Sequence, residues 1–167
     1  MSEQSVERTE DGRYIVVGGR RWRTTDPSIP SKLATELRTQ LMAARRSVGS
    51  AQRNGSEADL RVARGKVQRA KVALGERGRE WWSTPDPAAL RGRVMATLAT
   101  LLDARPDGSV CPSEVARAVL NSDWRALMAT VRDVAIAMQR AEELEVTQRG
   151  QVVHPPLSGP IRLQRRA

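Results

Sequence analysis

The residue with the clearest chemical potential is the chain's only cysteine, Cys111, which stands directly before Pro112-Ser113-Glu114. A proline followed two residues later by a glutamate opens a helix, and the positive end of a helix stabilises a thiolate. A reactive thiol also needs a base, and the only histidine, His154, lies far along the chain. There is no second cysteine to resolve a disulfide. One His and one Cys cannot complete a zinc site without carboxylates or a symmetric partner. Gly18-Gly19 and Gly75-x-x-Gly78 lack the flanking strand and the Lys-Ser/Thr of a phosphate loop. Glu142, Glu143 and Glu145 fall where a helix gives way to a strand, outside any recognisable cleft pattern. The expectation is a protein that is no enzyme and holds no cofactor or metal, with Cys111 a small, partly buried residue in a helix N-cap.

Arginine offers a second kind of chemistry. The chain carries 28 Lys+Arg against 19 Asp+Glu, a net charge of +9. Such an excess suits polyanions, double-stranded DNA first among them. Residues 1–82 hold 17 basic and 10 acidic side chains, whereas residues 83–167 hold 11 and 9. Arg20, Arg21 and Arg23 crowd one short segment, and Arg61, Arg64, Lys66, Arg69 and Lys71 crowd one helix. On that helix Arg61, Arg64 and Lys71 fall near one side. In the second half, a helix beginning at Ser122 or Asp123 turns Arg125, Ala129, Arg132, Asp133, Ile136 and Arg140 outward, and a following hairpin places Gln148, Arg149 and Gln151 at its tip. Arg165-Arg166 makes a basic tail. The nucleic-acid-binding candidates are therefore Arg125, Arg132, Arg140, Gln148, Arg149, Arg61, Arg64, Lys71, Arg20 and Arg21. Two other readings stand beside this one. An arginine-rich, lysine-poor composition is also what a GC-rich coding sequence supplies. An exposed Ile136 beside Ala129 suits docking to a protein partner or a second copy of the chain.

Several elements must position these groups. Residues 1–11 are polar and expected to fray. Two strand-like runs, Arg13–Val17 and Arg20–Arg23, flank Gly18-Gly19 as a hairpin, with Tyr14, Val16 and Trp22 expected on its packed face. A helix from Ser31 carries the stripe Leu33, Leu37, Leu41 and Val48, weakens at Gly49-Ser50 and ends at Asn54-Gly55. Ser56 caps a second helix with the seam Leu60, Ala63, Val67, Ala70 and Leu74, closed by Gly75 and Gly78. Two segments share a pattern: Trp22-x-Thr24-x-Asp26-Pro27 and Trp82-x-Thr84-x-Asp86-Pro87. Each precedes a helix, and both read as the same device, an Asp near the positive end and a Trp covering an apolar edge. Helices are expected over 86–104, 112–120 and 123–142, the last burying Trp124, Leu127, Met128, Val131, Val134 or Ala135, and Met138. Period-two segments at Leu144–Gln148, Gln151–His154 and Ile161–Leu163 follow. Three helices followed by a β-hairpin is the order of a winged helix-turn-helix domain. The predicted fold is mainly α, with a winged helix-turn-helix-like C-terminal domain (83–167) preceded by a basic region (12–82) of β-hairpin plus helical hairpin.

From Ser109 onward the chain resembles the bacterial family called domain of unknown function 3253. The resemblance is carried by Cys111-Pro112-Ser113-Glu114-Val115-Ala116-Arg117, Asp123-Trp124-Arg125-Ala126-Leu127-Met128, Glu145-Val146-Thr147-Gln148-Arg149-Gly150 and Gly159-Pro160-Ile161-Arg162-Leu163. It covers roughly residues 88–166 and implies a small winged-helix-like domain with no established activity to transfer. The first half, through Arg13–Val17, Arg20–Arg23, Leu41–Arg46 and Lys71–Gly78, is similar to a basic region found beside this domain in some bacterial proteins. No apolar run approaches the roughly 20 residues that span a bilayer, and no secretory pattern opens the chain. The expectation is a cytoplasmic protein without a membrane partner.

Overall fold

The structure, a computed structural model, describes residues 6–166. Of the N-terminal stretch expected to fray, residues 1–5 lie outside the described residues. Glu7–Arg8 (β1) instead pairs with Val16 and Ile15, so an edge strand forms where fraying was expected. Tyr14–Val17 (β2) and Arg20–Arg23 (β3) complete a three-stranded antiparallel sheet in the order β1-β2-β3. Gly18 and Gly19 both take positive φ, 56° and 74°, as a two-residue turn between right-twisted strands requires. The register sets Ile15 opposite Trp22, and Tyr14 and Val16 opposite Arg23 and Arg21. Trp22 therefore lies on the opposite face from Tyr14 and Val16, because directly paired residues share a face and neighbours along a strand do not. The expected grouping of those three is corrected accordingly.

Ser31–Asn54 (α1) runs unbroken through Gly49-Ser50, since Leu33, Leu37, Leu41, Ala44 and Ala51 keep one face buried on both sides of that pair. Gly55, at φ 67°, ends it, and the Ser56 hydroxyl accepts the Asp59 N–H at 3.2 Å to start Glu57–Ala73 (α2). The two helices pack as a hairpin, with Ala63, Ala70 and Ala73 on the α2 seam. Gly75 follows at φ 76°, where an added Cβ would stand 3.1 Å from the Asp26 Cβ and 3.3 Å from Trp81. Glycine is thus required there twice, by conformation and by space.

Asp86 caps Pro87–Ala104 (α3), accepting the Ala89 N–H at 2.8 Å. This helix buries Val94, Leu98, Leu101 and Leu102 and packs against both α1 and α2, and against Pro112–Val119 (α4) and Trp124–Arg140 (α5). A single apolar cluster consequently runs from Ile29 to Leu163 across both halves of the chain. Three short strands frame the C-terminal part: Ser109–Val110 (β4), and Glu145–Gln148 (β5) turning at Arg149-Gly150 into Gln151–Val152 (β6). Arg162–Gln164 (β7) inserts between β4 and β5, giving the antiparallel order β4-β7-β5-β6. The fold is mainly helical, with a β-hairpin and helical segments in the expected order.

Two arginines knit the halves together. Arg93 on α3 donates to Asp26 at 2.7 Å, with side chains only 15% and 5% exposed. Arg105, just after α3, makes paired bonds to Glu36 of α1 (2.6 and 2.9 Å) and to Glu114 of α4 (2.9 and 3.0 Å). These bonds, Glu36 foremost, hold the Arg105 guanidinium firmly protonated. No helix among the described residues is long and apolar enough to cross a membrane.

Candidate nucleic-acid interface

Between α4 and α5 the chain makes one 3-10 turn, Asn121–Asp123, and enters α5 at Trp124. The turn is this tight because Asn121 and Ser122 break the α4 pattern while Trp124 restarts an apolar stripe after only three residues. Leu127, Val131, Val134, Ala135 and Met138 are buried, as that stripe demands. Trp124 departs from expectation. It is half-buried, resting on the core edge, and two guanidiniums lie 4.5 Å from its ring, Arg117 from α4 and Arg125 from α5. Both arginines are exposed, so a pair of cations from different helices is gathered on one indole at the start of α5. Arg117 escapes a reading of helical periodicity because the intervening turn breaks the period. The signal that could have found it is its place in the last turn of α4, which points to the next helix's first residue.

The other α5 and hairpin candidates divide into free and engaged groups. Arg140 is exposed in the last turn of α5, and Arg149 is exposed at the β5–β6 tip, at φ 52° beside Gly150. Arg132 is half-buried and donates to the Gly159 carbonyl at 2.7 Å. Gln148 donates to the carbonyls of Ser158 (2.7 Å) and Pro160 (3.0 Å). These two side chains therefore hold the 158–160 segment in place along α5, with Gln139 binding the Val153 carbonyl at 3.0 Å. Ile136, expected on the exposed face, is half-buried.

In the first half Arg20, Arg21, Arg61 and Arg64 are exposed. Arg21 lies 5.9 Å over the Tyr14 ring. Lys71 parts from its helical neighbours Arg61 and Arg64: it is 8% exposed, with its ammonium 5.3 Å from the Trp22 ring. The last turn of α2 passes beneath β3, so burial there overrides the seven-residue spacing that grouped Lys71 with Arg64. α2 packs on α1 and α3 whereas α5 packs on α3 and α4, so α3 lies between the helix of Arg61 and Arg64 and the helix of Arg125 and Arg140.

Cys111 is half-buried at the N-cap of α4. Its backbone N–H donates to Glu114 at 2.8 Å, and its Sγ is 3.1 Å from the Ser113 hydroxyl. Burial pushes the Glu114 carboxyl up, but the Arg105 and Cys111 hydrogen bonds outweigh it and leave the group below its ordinary range. Glu114 is thus a structural anion joining cap and buried arginine. His154 is exposed. No group of three or more His, Cys, Asp or Glu side chains is placed to hold a metal among the described residues.

The geometry defines a basic, mainly helical protein whose C-terminal half is a three-helix unit closed by a small antiparallel sheet. Residues 91–166 of this chain match the family described as protein of unknown function (DUF3253). No curated protein matches the chain.

Proposed function

We propose that α3, α4 and α5 with the β5–β6 hairpin form a winged helix-turn-helix unit that binds double-stranded DNA in the cytoplasm, chiefly through its phosphates. The observation that carries this reading is the pairing of exposed Arg117 and Arg125 on Trp124 at the start of α5. The start of the third helix is the end that approaches the duplex in helix-turn-helix proteins. Exposed Arg149 at the hairpin tip supplies a second phosphate contact. Arg132 and Gln148, engaged with residues 158–160, position that segment and leave DNA binding to the helix end and the hairpin tip. The rival reading, docking to a protein partner or a second copy, draws on Ile136, which is half-buried, beside the exposed Ala129.

The test is binding to random-sequence duplex DNA across a salt series. Affinity should fall linearly on logarithmic axes, and the Arg117→Gln/Arg125→Gln variant should lower the slope by about 2, one for each phosphate no longer neutralised. No binding even at the lowest salt sinks the proposal. Binding that ignores that variant but disappears in Arg61→Gln/Arg64→Gln moves the interface to α2.

A further inference from the structure

A cleft of about 850 Å³ opens between the N-terminal sheet, the first half of α1 and the end of α2. Besides Arg23, which donates to the carbonyls of Gly75, Gly78 and Arg79, its walls carry four cations, Arg8, Arg38, Arg45 and Lys71. Among the described residues, none of the four lies within ion-pair distance of a carboxylate. The two acids that also line the cleft are already engaged. Asp26 holds Arg93 and Ser28, and Glu76 accepts the Thr25 hydroxyl at 2.9 Å.

Lys71 is the decisive group. It is 8% exposed, and its ammonium makes no hydrogen bond to the described protein, meeting only the Trp22 ring. The ammonium keeps solvent contact in the cleft and has no carboxylate within ion-pair distance, so an anion entering the cleft meets a donor with its hydrogen-bonding capacity unspent. Burial, then repulsion from Arg77, pushes the Lys71 pKa down; Glu76 partly offsets this and Arg45 adds to it. Lysines on a solvated helix face do not behave this way; they extend the ammonium into water.

Beside these cations the cleft presents an apolar shelf made of Ile15, Trp22 and Met42. Trp22 is 44% exposed, large for an indole that already covers a charged group. The cleft thus joins a cationic floor to an aromatic wall, the pairing that fixes small organic anions by charge at one end and stacking at the other.

We propose that this cleft is a binding site for a small organic anion, a carboxylate or phosphate ester with a flat apolar body. The anionic group sits between Lys71, Arg45 and Arg38, and the body lies against Trp22. The site is separate from the α4–α5 interface and stands or falls independently of DNA binding. A small molecule is favoured over a nucleic-acid backbone because Lys71 is accessible only from within the cleft, where a duplex phosphate on its rigid rod cannot follow.

Phenyl phosphate, benzoate and inorganic phosphate serve as probes, with benzyl alcohol as the neutral control, using calorimetry and tryptophan fluorescence on the full chain. The aromatic anions should bind saturably and perturb tryptophan emission, while benzyl alcohol should not bind. A preference for phenyl phosphate over benzoate assigns a phosphate ester, and the reverse assigns a carboxylate. Lys71→Met should weaken binding by about tenfold or more, as removal of a charge-assisted hydrogen bond does. The surface pair Arg38→Gln/Arg45→Gln, whose side chains are exposed, repeats the test should Lys71→Met not fold. Absence of saturable binding by every anion overturns the proposal, and so does unchanged affinity in both variants. Displacement of bound phenyl phosphate by duplex DNA also overturns it, assigning the cleft to a polynucleotide.

Discussion

The segments Trp22-x-Thr24-x-Asp26-Pro27 and Trp82-x-Thr84-x-Asp86-Pro87 share a pattern and a position before a helix, yet they do different work. Asp86 caps its helix directly, receiving the Ala89 N–H, and its exposed pair with Arg79 at 3.2 Å adds little. Asp26 caps nothing in α1, whose N-cap is Pro30. It folds back on Ser28 and reaches across to Arg93, 67 residues away in sequence. The tryptophans diverge as well. Trp82 meets Trp81 and Tyr14 edge-on, at 5.0 and 5.6 Å between ring centres, with Arg13 and Arg23 over its ring. Trp22 lies on the other face of the sheet and covers Lys71. A shared local pattern thus defines a shared turn, and the surface each turn meets defines its role.

The largest break in this comparison should come from Asp26→Ala. Removing it leaves Arg93 buried with no counter-ion, and its Nε already has no partner. The expected loss is about 3–5 kcal/mol of unfolding free energy in a denaturant titration. Replacing both partners, Asp26→Ala with Arg93→Leu, should cost clearly less than Asp26→Ala alone, because no uncompensated charge remains. An additive pair of losses would contradict the ion-pair account.

Trp82→Ala ranks next, at about 2 kcal/mol, since it removes a half-buried ring with two aromatic neighbours. Asp86→Ala should cost about 1 kcal/mol, the value of a single N-cap. Equal losses from Asp26→Ala and Asp86→Ala would show that the two segments share a role after all. Trp22→Ala should be the mildest, below about 1 kcal/mol, because the exposed ring buries little area and its removal opens the Lys71 ammonium further to water. Calorimetric melting of the four variants places them in this order.

Much of the helical scaffold is legible in the residues themselves. Ser56 and Asp86 start helices with their own side chains, Pro112 and Glu114 mark the start of α4, and Gly18-Gly19 and Arg149-Gly150 turn hairpins, all by interactions within a few residues. β4 was not legible, because a two-residue strand has no period and exists only through its pairing with β7. Of the candidate site, Arg125 and Arg149 stand exposed where the helical and hairpin patterns place them. The engagement of Arg132 and Gln148 with residues 158–160 was hidden, since it depends on how a proline-rich segment crosses α5. The Arg117–Trp124–Arg125 cluster was hidden for a related reason: its members belong to two helices whose crossing no single periodicity records.

The charge excess, the order of helices and strands, and the residues that begin and end them were determined locally, by caps, turns and apolar spacing. Which cations remain free was decided by tertiary structure alone. Arg64 and Lys71 stand seven residues apart on one helix, and one is solvated while the other lies beneath Trp22 with no carboxylate within ion-pair distance among the described residues. Burial is a property of two surfaces meeting, and the second surface, β3, comes from a part of the chain that the helix's own sequence does not contain.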